Sequence, residues 1–110
     1  MAGGAALKRA EIWWARLPPP DKTRPVVLVS REAAYAVRDL VTVAKVTTRR
    51  RGLRSELTLG PAEGLPRECI ANSDDLMTIR KRQLIERIGA IPEERIDELD
   101  AALAFSLGLD

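Results

Sequence analysis

The 110-residue chain contains no histidine and one cysteine, Cys69. The first absence removes the imidazole base, the imidazole metal ligand and every Ser-His-Asp or Cys-His pair within the chain. The second removes an intrachain disulfide and any zinc site built from several cysteines. Cys69 reads as a small buried hydrophobe. Catalysis is thereby left to Arg, Lys, carboxylates and hydroxyls, or to a group that a substrate brings. Aromatic residues are scarce at 4%. No apolar run approaches the ~20 residues of a membrane-spanning helix, and Met1 to Leu7 shows neither the basic nor the apolar region of a secretory leader. A reducing cytoplasm is the expected location.

What is present is a globular balance of 45% hydrophobic and 31% charged residues. The length allows one domain, with residues 1–8 expected as a flexible N-terminus and residues 9–110 as the folded unit. Such a core is thin, which makes support from a second subunit plausible. The net charge of +2 hides a division: residues 1–90 carry 17 basic and 10 acidic side chains, residues 91–110 one basic and six acidic. The densest basic patch is Lys45, Arg49, Arg50, Arg51 and Arg54, with no acid among residues 45–54. It reads either as a surface for a polyanion or as a solvated loop. The acidic C-terminal segment is expected to lie apart from it.

Residues 10–17, 25–29, 40–47, 55–59 and 84–91 read as strands, with another inside residues 68–79. Period-2 alternation puts Val41, Val43, Lys45 and Thr47 on one face of their strand. Asn72-Ser73-Asp74-Asp75 interrupts its strand with polar residues, a sign of a bulge or a site. Ser30 is a candidate cap for a helical turn over residues 30–37. Pro92, Glu93 and Glu94 suit a helix start, Ile96, Leu99, Leu103 and Leu107 keep helical spacing, and Gly108 suits its end. The expected fold is mainly β: a small, partly open antiparallel barrel of five or six strands closed by a C-terminal helix.

Several of these segments, in order, resemble one family. Glu11-Ile12-Trp13-Trp14 leads through a proline-containing loop to Arg24-Pro25-Val26-Val27-Leu28-Val29-Ser30; a strand ending Val46-Thr47, then Gly64-Leu65-Pro66, and a helix ending Ser106-Leu107-Gly108-Leu109 follow. The set is similar to the MazF/PemK toxins of type II toxin–antitoxin systems, from about Arg9 to Leu109. The resemblance implies an SH3-like barrel forming a homodimer, and an endoribonuclease that cleaves single-stranded RNA at short motifs without metal or cofactor. It implies attack by the substrate's own 2′-hydroxyl, giving a 2′,3′-cyclic phosphate and a 5′-hydroxyl. It also implies an antitoxin partner that blocks the groove with an acidic unstructured segment. A chain without histidine is compatible with such chemistry, since the nucleophile arrives with the RNA.

Carried over by this resemblance, Arg24 is the catalytic arginine, a permanently charged fork of donors for a phosphate. Thr47 is the hydroxyl that works with it, with Thr48 as the neighbour that a one-residue register change would substitute. Lys45 and Arg49 are expected beside the scissile phosphate, and Arg50, Arg51 and Arg54 on neighbouring phosphates. Trp13 and Trp14 point to opposite faces, one to the core and the other to stack on a base or line a partner's groove; parity does not say which is which, and Trp14 is carried as the RNA-binding candidate. Many relatives place glutamine and arginine near Asp75 and Met77. Asp75 either accepts from a base amino group or repels phosphate. Ala10 stands where a glycine is frequent, with little consequence expected. Two other functions remain open: a gyrase-binding toxin resembling CcdB, disfavoured because residues 92–110 lack tryptophan, and a barrel that binds RNA or antitoxin without cleaving.

Overall fold

The computed structural model describes residues 6–110. Six antiparallel strands, β1 (Glu11–Arg16), β2 (Thr23–Leu28), β3 (Leu40–Thr47), β4 (Glu56–Leu59), β5 (Cys69–Arg80) and β6 (Leu84–Ala90), form one curled sheet in the order β4-β5-β3-β2-β1-β6. The end strands β4 and β6 do not pair, so this is a half-barrel. Its two helices are a single turn, α1 (Ala34–Val37), and the C-terminal α2 (Ile96–Ser106). Among the described residues no helix is long and apolar enough to cross a membrane.

Strand alternation sorts the apolar side chains into two cores. Trp13, Val26, Leu28, Val41 and Val43 pack on one side. Ile12, Val27, Ala44 and Val46 pack on the other, where Leu99 of α2 is fully buried with them. Cys69 is buried in this second cluster, as expected of a small hydrophobe, and burial pushes its thiol pKa up. Fully burying a side chain of this kind contributes roughly 1.5–3 kcal/mol, so the two clusters supply the main stabilisation.

Several local expectations change. Ser30 does not cap a helix: its hydroxyl oxygen accepts the backbone N–H of Thr42 at 2.7 Å, and α1 begins at Ala34 without a side-chain cap. The helix expected from Pro92 opens with a 3-10 turn, Glu93–Arg95, before α2. Leu107 does not continue the buried stripe but is 56% exposed, because the helix has ended and Gly108 takes a left-handed φ of 71°. Of the flexible segment expected over residues 1–8, residues 1–5 lie outside the described residues, and Leu7 is buried in the first cluster.

Ala10 holds a left-handed φ of 75°, a conformation that costs an L-residue roughly 1–2 kcal/mol. A glycine would relieve that strain. It would also lose about 0.8 kcal/mol for the buried methyl and about 0.4–1 kcal/mol through a freer unfolded chain. The contributions nearly cancel, which is a physical reason for alanine to be tolerated.

Candidate active site

β2 and β3 pair Val26 with Lys45, Val27 with Ala44 and Leu28 with Val43. Arg24 lies two residues before Val26 on β2, and Thr47 two residues after Lys45 on β3. Both share the face of Val26 and Lys45, since alternate residues of a strand share a face. They open into one pocket of about 320 Å³, lined by Arg24, Lys45, Thr47, Arg49, Arg51, Asn72 and Asp75. The lining carries four cations and one carboxylate, a balance suited to an anion.

Lys45 lies deepest, 9% exposed. Its Nζ donates to Asp21 Oδ2 at 2.5 Å and stands 3.5 Å from Asp75 Oδ1. The hydrogen bond from Lys45 holds the Asp21 carboxyl below its ordinary range, and the same bond raises the Lys45 pKa. Asp21 Oδ1 is also 3.5 Å from a terminal guanidinium nitrogen of Arg24, whose Nε is buried with no hydrogen-bond partner among the described residues. Thr47 Oγ1 accepts the backbone N–H of Arg49 at 3.2 Å, leaving its own hydroxyl hydrogen free to donate.

The basic loop owes its shape to Glu56. This carboxylate accepts the backbone N–H groups of Arg51, Gly52 and Leu53 at 3.0–3.4 Å. Gly52 supplies the left-handed φ of 75° that the turn requires. The loop thereby divides its arginines. Arg49 and Arg51 line the pocket, whereas Arg50 pairs with Glu68 at 3.2 Å. Arg54 pairs with Asp110 at 2.6 Å and lies 4.5 Å over the Phe105 ring.

The polar interruption in β5 is a bulge. Lys45 pairs with Asn72 while Ala44 pairs with Leu76, so residues 73–75 have no counterpart on β3. Ser55 donates to Asp74 Oδ2 at 2.5 Å, and Ser106 at the end of α2 donates to the Ser73 carbonyl at 2.7 Å. The hydroxyl bond from Ser55 is the largest cause that depresses the Asp74 pKa. The bulge brings Asp75 into the pocket wall.

Of the residues singled out from sequence, Arg24, Lys45, Thr47, Arg49, Arg51 and Asp75 come together here. Thr48, Arg50, Arg54 and Trp14 do not line the pocket. Thr48 is exposed in the bend after β3. Trp13 is the core ring, its Nε1 donating to Glu11 at 3.1 Å. Trp14 therefore points to the opposite side of the sheet from Trp13 and Arg24. Asp21 and Asn72 belong to the site but were not singled out as site residues. For Asp21 the available signal was a carboxylate three residues before Arg24; for Asn72 it was the polar interruption itself. The acidic C-terminal segment also fails to stay apart from basic residues: Asp100 pairs with Arg9 at 2.9 Å and Asp110 with Arg54. No residue of α2 lines the pocket.

Comparison with known proteins places this geometry. Residues 8–107 match the PemK-like, MazF-like toxins of type II toxin–antitoxin systems. The chain belongs to this family. It is 34% identical over 96 residues to the probable endoribonuclease MazF5 of Mycobacterium tuberculosis, covering 86% of this chain and 87% of that protein. It is 30% identical over 112 residues to the endoribonuclease MazF6 of the same organism, covering 94% and 98%. Its fold is similar to that of the solved Mycobacterium tuberculosis toxin MazF-mt6, with a TM-score of 0.84, 32% identity and coverage of 91% of this chain and 98% of that one. It is also similar to a mycobacterial endoribonuclease solved in complex with its cognate antitoxin, with a TM-score of 0.82, 25% identity and coverage of 96% and 98%. These relatives favour the nuclease over the gyrase-binding alternative for this toxin.

Proposed function

We propose that this toxin is a metal-independent, sequence-selective endoribonuclease of single-stranded RNA, acting in the cytoplasm as a homodimer and restrained by a cognate antitoxin. The observation that carries the reading is the opening of Arg24 and Thr47, from two strands, into one pocket rimmed by Arg49 and Arg51. Relatives named as endoribonucleases support it. The related structure solved with its cognate antitoxin supports the partner, and a four-cation pocket suits an acidic segment.

The RNA's 2′-oxygen attacks the adjacent phosphorus. A P–O2′ bond forms, the P–O5′ bond breaks, and the 5′-oxygen gains a proton while the 2′-hydroxyl loses one to solvent. The protein's task is alignment and neutralisation of charge on the phosphorane oxygens. Arg24 meets those oxygens with its fork of donors. Thr47, oriented by the Arg49 N–H, donates its hydroxyl hydrogen to a phosphate oxygen. It does not serve as a base, since an unassisted hydroxyl is too weakly basic. Arg49 and Arg51 hold adjoining phosphates.

The test is incubation of the purified protein with long single-stranded RNA in EDTA, followed by end mapping. Cuts at a short motif bearing 2′,3′-cyclic phosphate and 5′-hydroxyl ends are expected. Intact RNA with inhibited gyrase supercoiling would replace this reading with the gyrase-binding one, and tight RNA binding without cuts would replace it with a non-cleaving barrel.

A further inference from the structure

We propose that Asp21 is a positioning residue of this centre, whose carboxylate, anchored on Lys45, orients the Arg24 guanidinium toward the pocket. The inference rests on the nuclease reading above. Asp21 stands in the loop between β1 and β2, which is closed by Leu17 N–H to the Lys22 carbonyl at 2.8 Å and Asp21 N–H to the Pro18 carbonyl at 3.1 Å. Pro18, Pro19 and Pro20 restrict φ along that loop. The carboxylate position is thus set by local backbone before any substrate arrives.

Its two oxygens divide between two cations. Oδ2 takes the Lys45 ammonium at 2.5 Å, and Oδ1 faces Arg24 at 3.5 Å. The side chain is only 19% exposed and does not line the pocket. Arg24 Nε is buried and unpartnered among the described residues, leaving Asp21 as the polar anchor recorded for this guanidinium. Lys45 is itself held between Asp21 and Asp75, so its charge is engaged in fixing carboxylates. A donor aimed in advance needs no reorientation when charge develops on the phosphate.

A carboxylate near a phosphate pocket also has an opposite effect, since it repels the substrate. Orientation and repulsion move different kinetic constants. Removing the charge while keeping the shape, in Asp21→Asn, disorders Arg24 and lowers kcat, while the lost repulsion leaves KM unchanged or lower. An internal competitor for Arg24 and Lys45 would instead give a lower KM with kcat equal to or above wild type.

The experiment is steady-state cleavage of a short fluorescent RNA by full-length wild type and Asp21→Asn, with melting temperatures. Proton–nitrogen NMR of the Arg24 Nε–H, identified by its loss in Arg24→Lys, accompanies it. Expected are a kcat lower by up to about 100-fold, a KM no higher than wild type, and an Arg24 Nε–H signal that broadens or moves toward exposed arginines. A wild-type kcat, or an unmoved Nε–H signal, overturns the proposal. If Asp21→Asn fails to fold, Asp21→Glu keeps the Lys45 pair but shifts the carboxylate by one methylene; a reduced kcat at wild-type melting temperature supports the proposal, and an unchanged kcat overturns it. If the wild type leaves RNA intact, the nuclease reading fails, and the Nε–H signal in Asp21→Asn still decides whether Asp21 orients Arg24.

Discussion

Arg24 on β2 lies two residues before Val26 and Thr47 on β3 two residues after its partner Lys45, and both open into the same pocket. A guanidinium and a hydroxyl so placed can grip one phosphate from two sides. Arg24→Ala is expected to reduce RNA cleavage by at least about 100-fold, the scale of losing one transition-state donor. Arg24→Lys should recover little, because an ammonium lacks the planar fork. Single-turnover rates check this, and a wild-type rate for Arg24→Ala would remove Arg24 from the mechanism.

Thr47 distinguishes a hydroxyl role from a β-branched packing role. Thr47→Ser keeps the oxygen that accepts the Arg49 N–H, and should retain cleavage within about tenfold of wild type. Thr47→Val keeps the shape and loses the oxygen; its rate should fall by roughly 10- to 100-fold. Parallel rate measurements decide it, and equal rates for Thr47→Val and wild type would assign the residue to packing.

The arginines of the basic loop should separate by salt dependence. Arg51 lines the pocket, so Arg51→Ala should weaken RNA binding and make its log–log salt slope shallower by about 0.7, the value for one lost phosphate contact on a single strand. Arg50 is paired with Glu68 in an exposed ion pair, so Arg50→Ala should leave the slope unchanged within error. Fluorescence anisotropy titrations from low to moderate salt measure both. Equal slopes for the two variants would mean that loop direction does not select the contacts.

This division was only partly legible in the sequence. Period-2 alternation put Lys45 and Thr47 on one face, and the basic run marked the loop by composition alone. Which arginines turn inward depends on Glu56, Glu68 and Asp110, and the latter two are distant in sequence from the arginines they bind. Asp21 was obscured for the same reason, since its partner Lys45 lies 24 residues away. The bulge at Ser73–Asp75 was visible as a polar break, but not its clamps, Ser55 and Ser106. The strand pattern was legible because both faces of the sheet are buried along β2 and β3, giving apolar runs that few other elements produce.

The same clamp has a pH signature. The hydroxyl bond from Ser55 is the largest cause holding the Asp74 carboxyl below its ordinary value of 3.8. As pH falls, the unfolded chain binds the Asp74 proton first, so the stability contributed by the ionised carboxylate is full above that value and is lost as pH falls through the lower folded pKa. Asp74→Asn should therefore melt below wild type at neutral pH, with the gap closing as pH falls below 3.8 and through the lower folded pKa. Thermal melts across that range test it. A gap of constant size would show that the charge of Asp74 does not hold the bulge.

The second core depends on a close approach that tolerates no side chain. The 3-10 turn Pro61–Glu63 lies against β6, and a Cβ on Gly89 would meet the Glu63 carbonyl oxygen at 2.1 Å. The turn cannot easily retreat, because the buried Glu63 carboxylate accepts the Gly60 N–H at 2.6 Å and pairs with Arg95 at 3.2 Å. Gly89→Ala should cost about 1–3 kcal/mol, the usual range for forcing extra volume into packed structure. Gly52→Ala is the comparison: its φ of 75° strains an L-residue, but no atom stands within 4 Å of the added Cβ. That substitution should cost only the conformational penalty of roughly 1–2 kcal/mol. Urea denaturation of both variants measures the two costs separately. Wild-type stability for Gly89→Ala would mean that the turn moves freely and that the Glu63–Arg95 pair does not fix it.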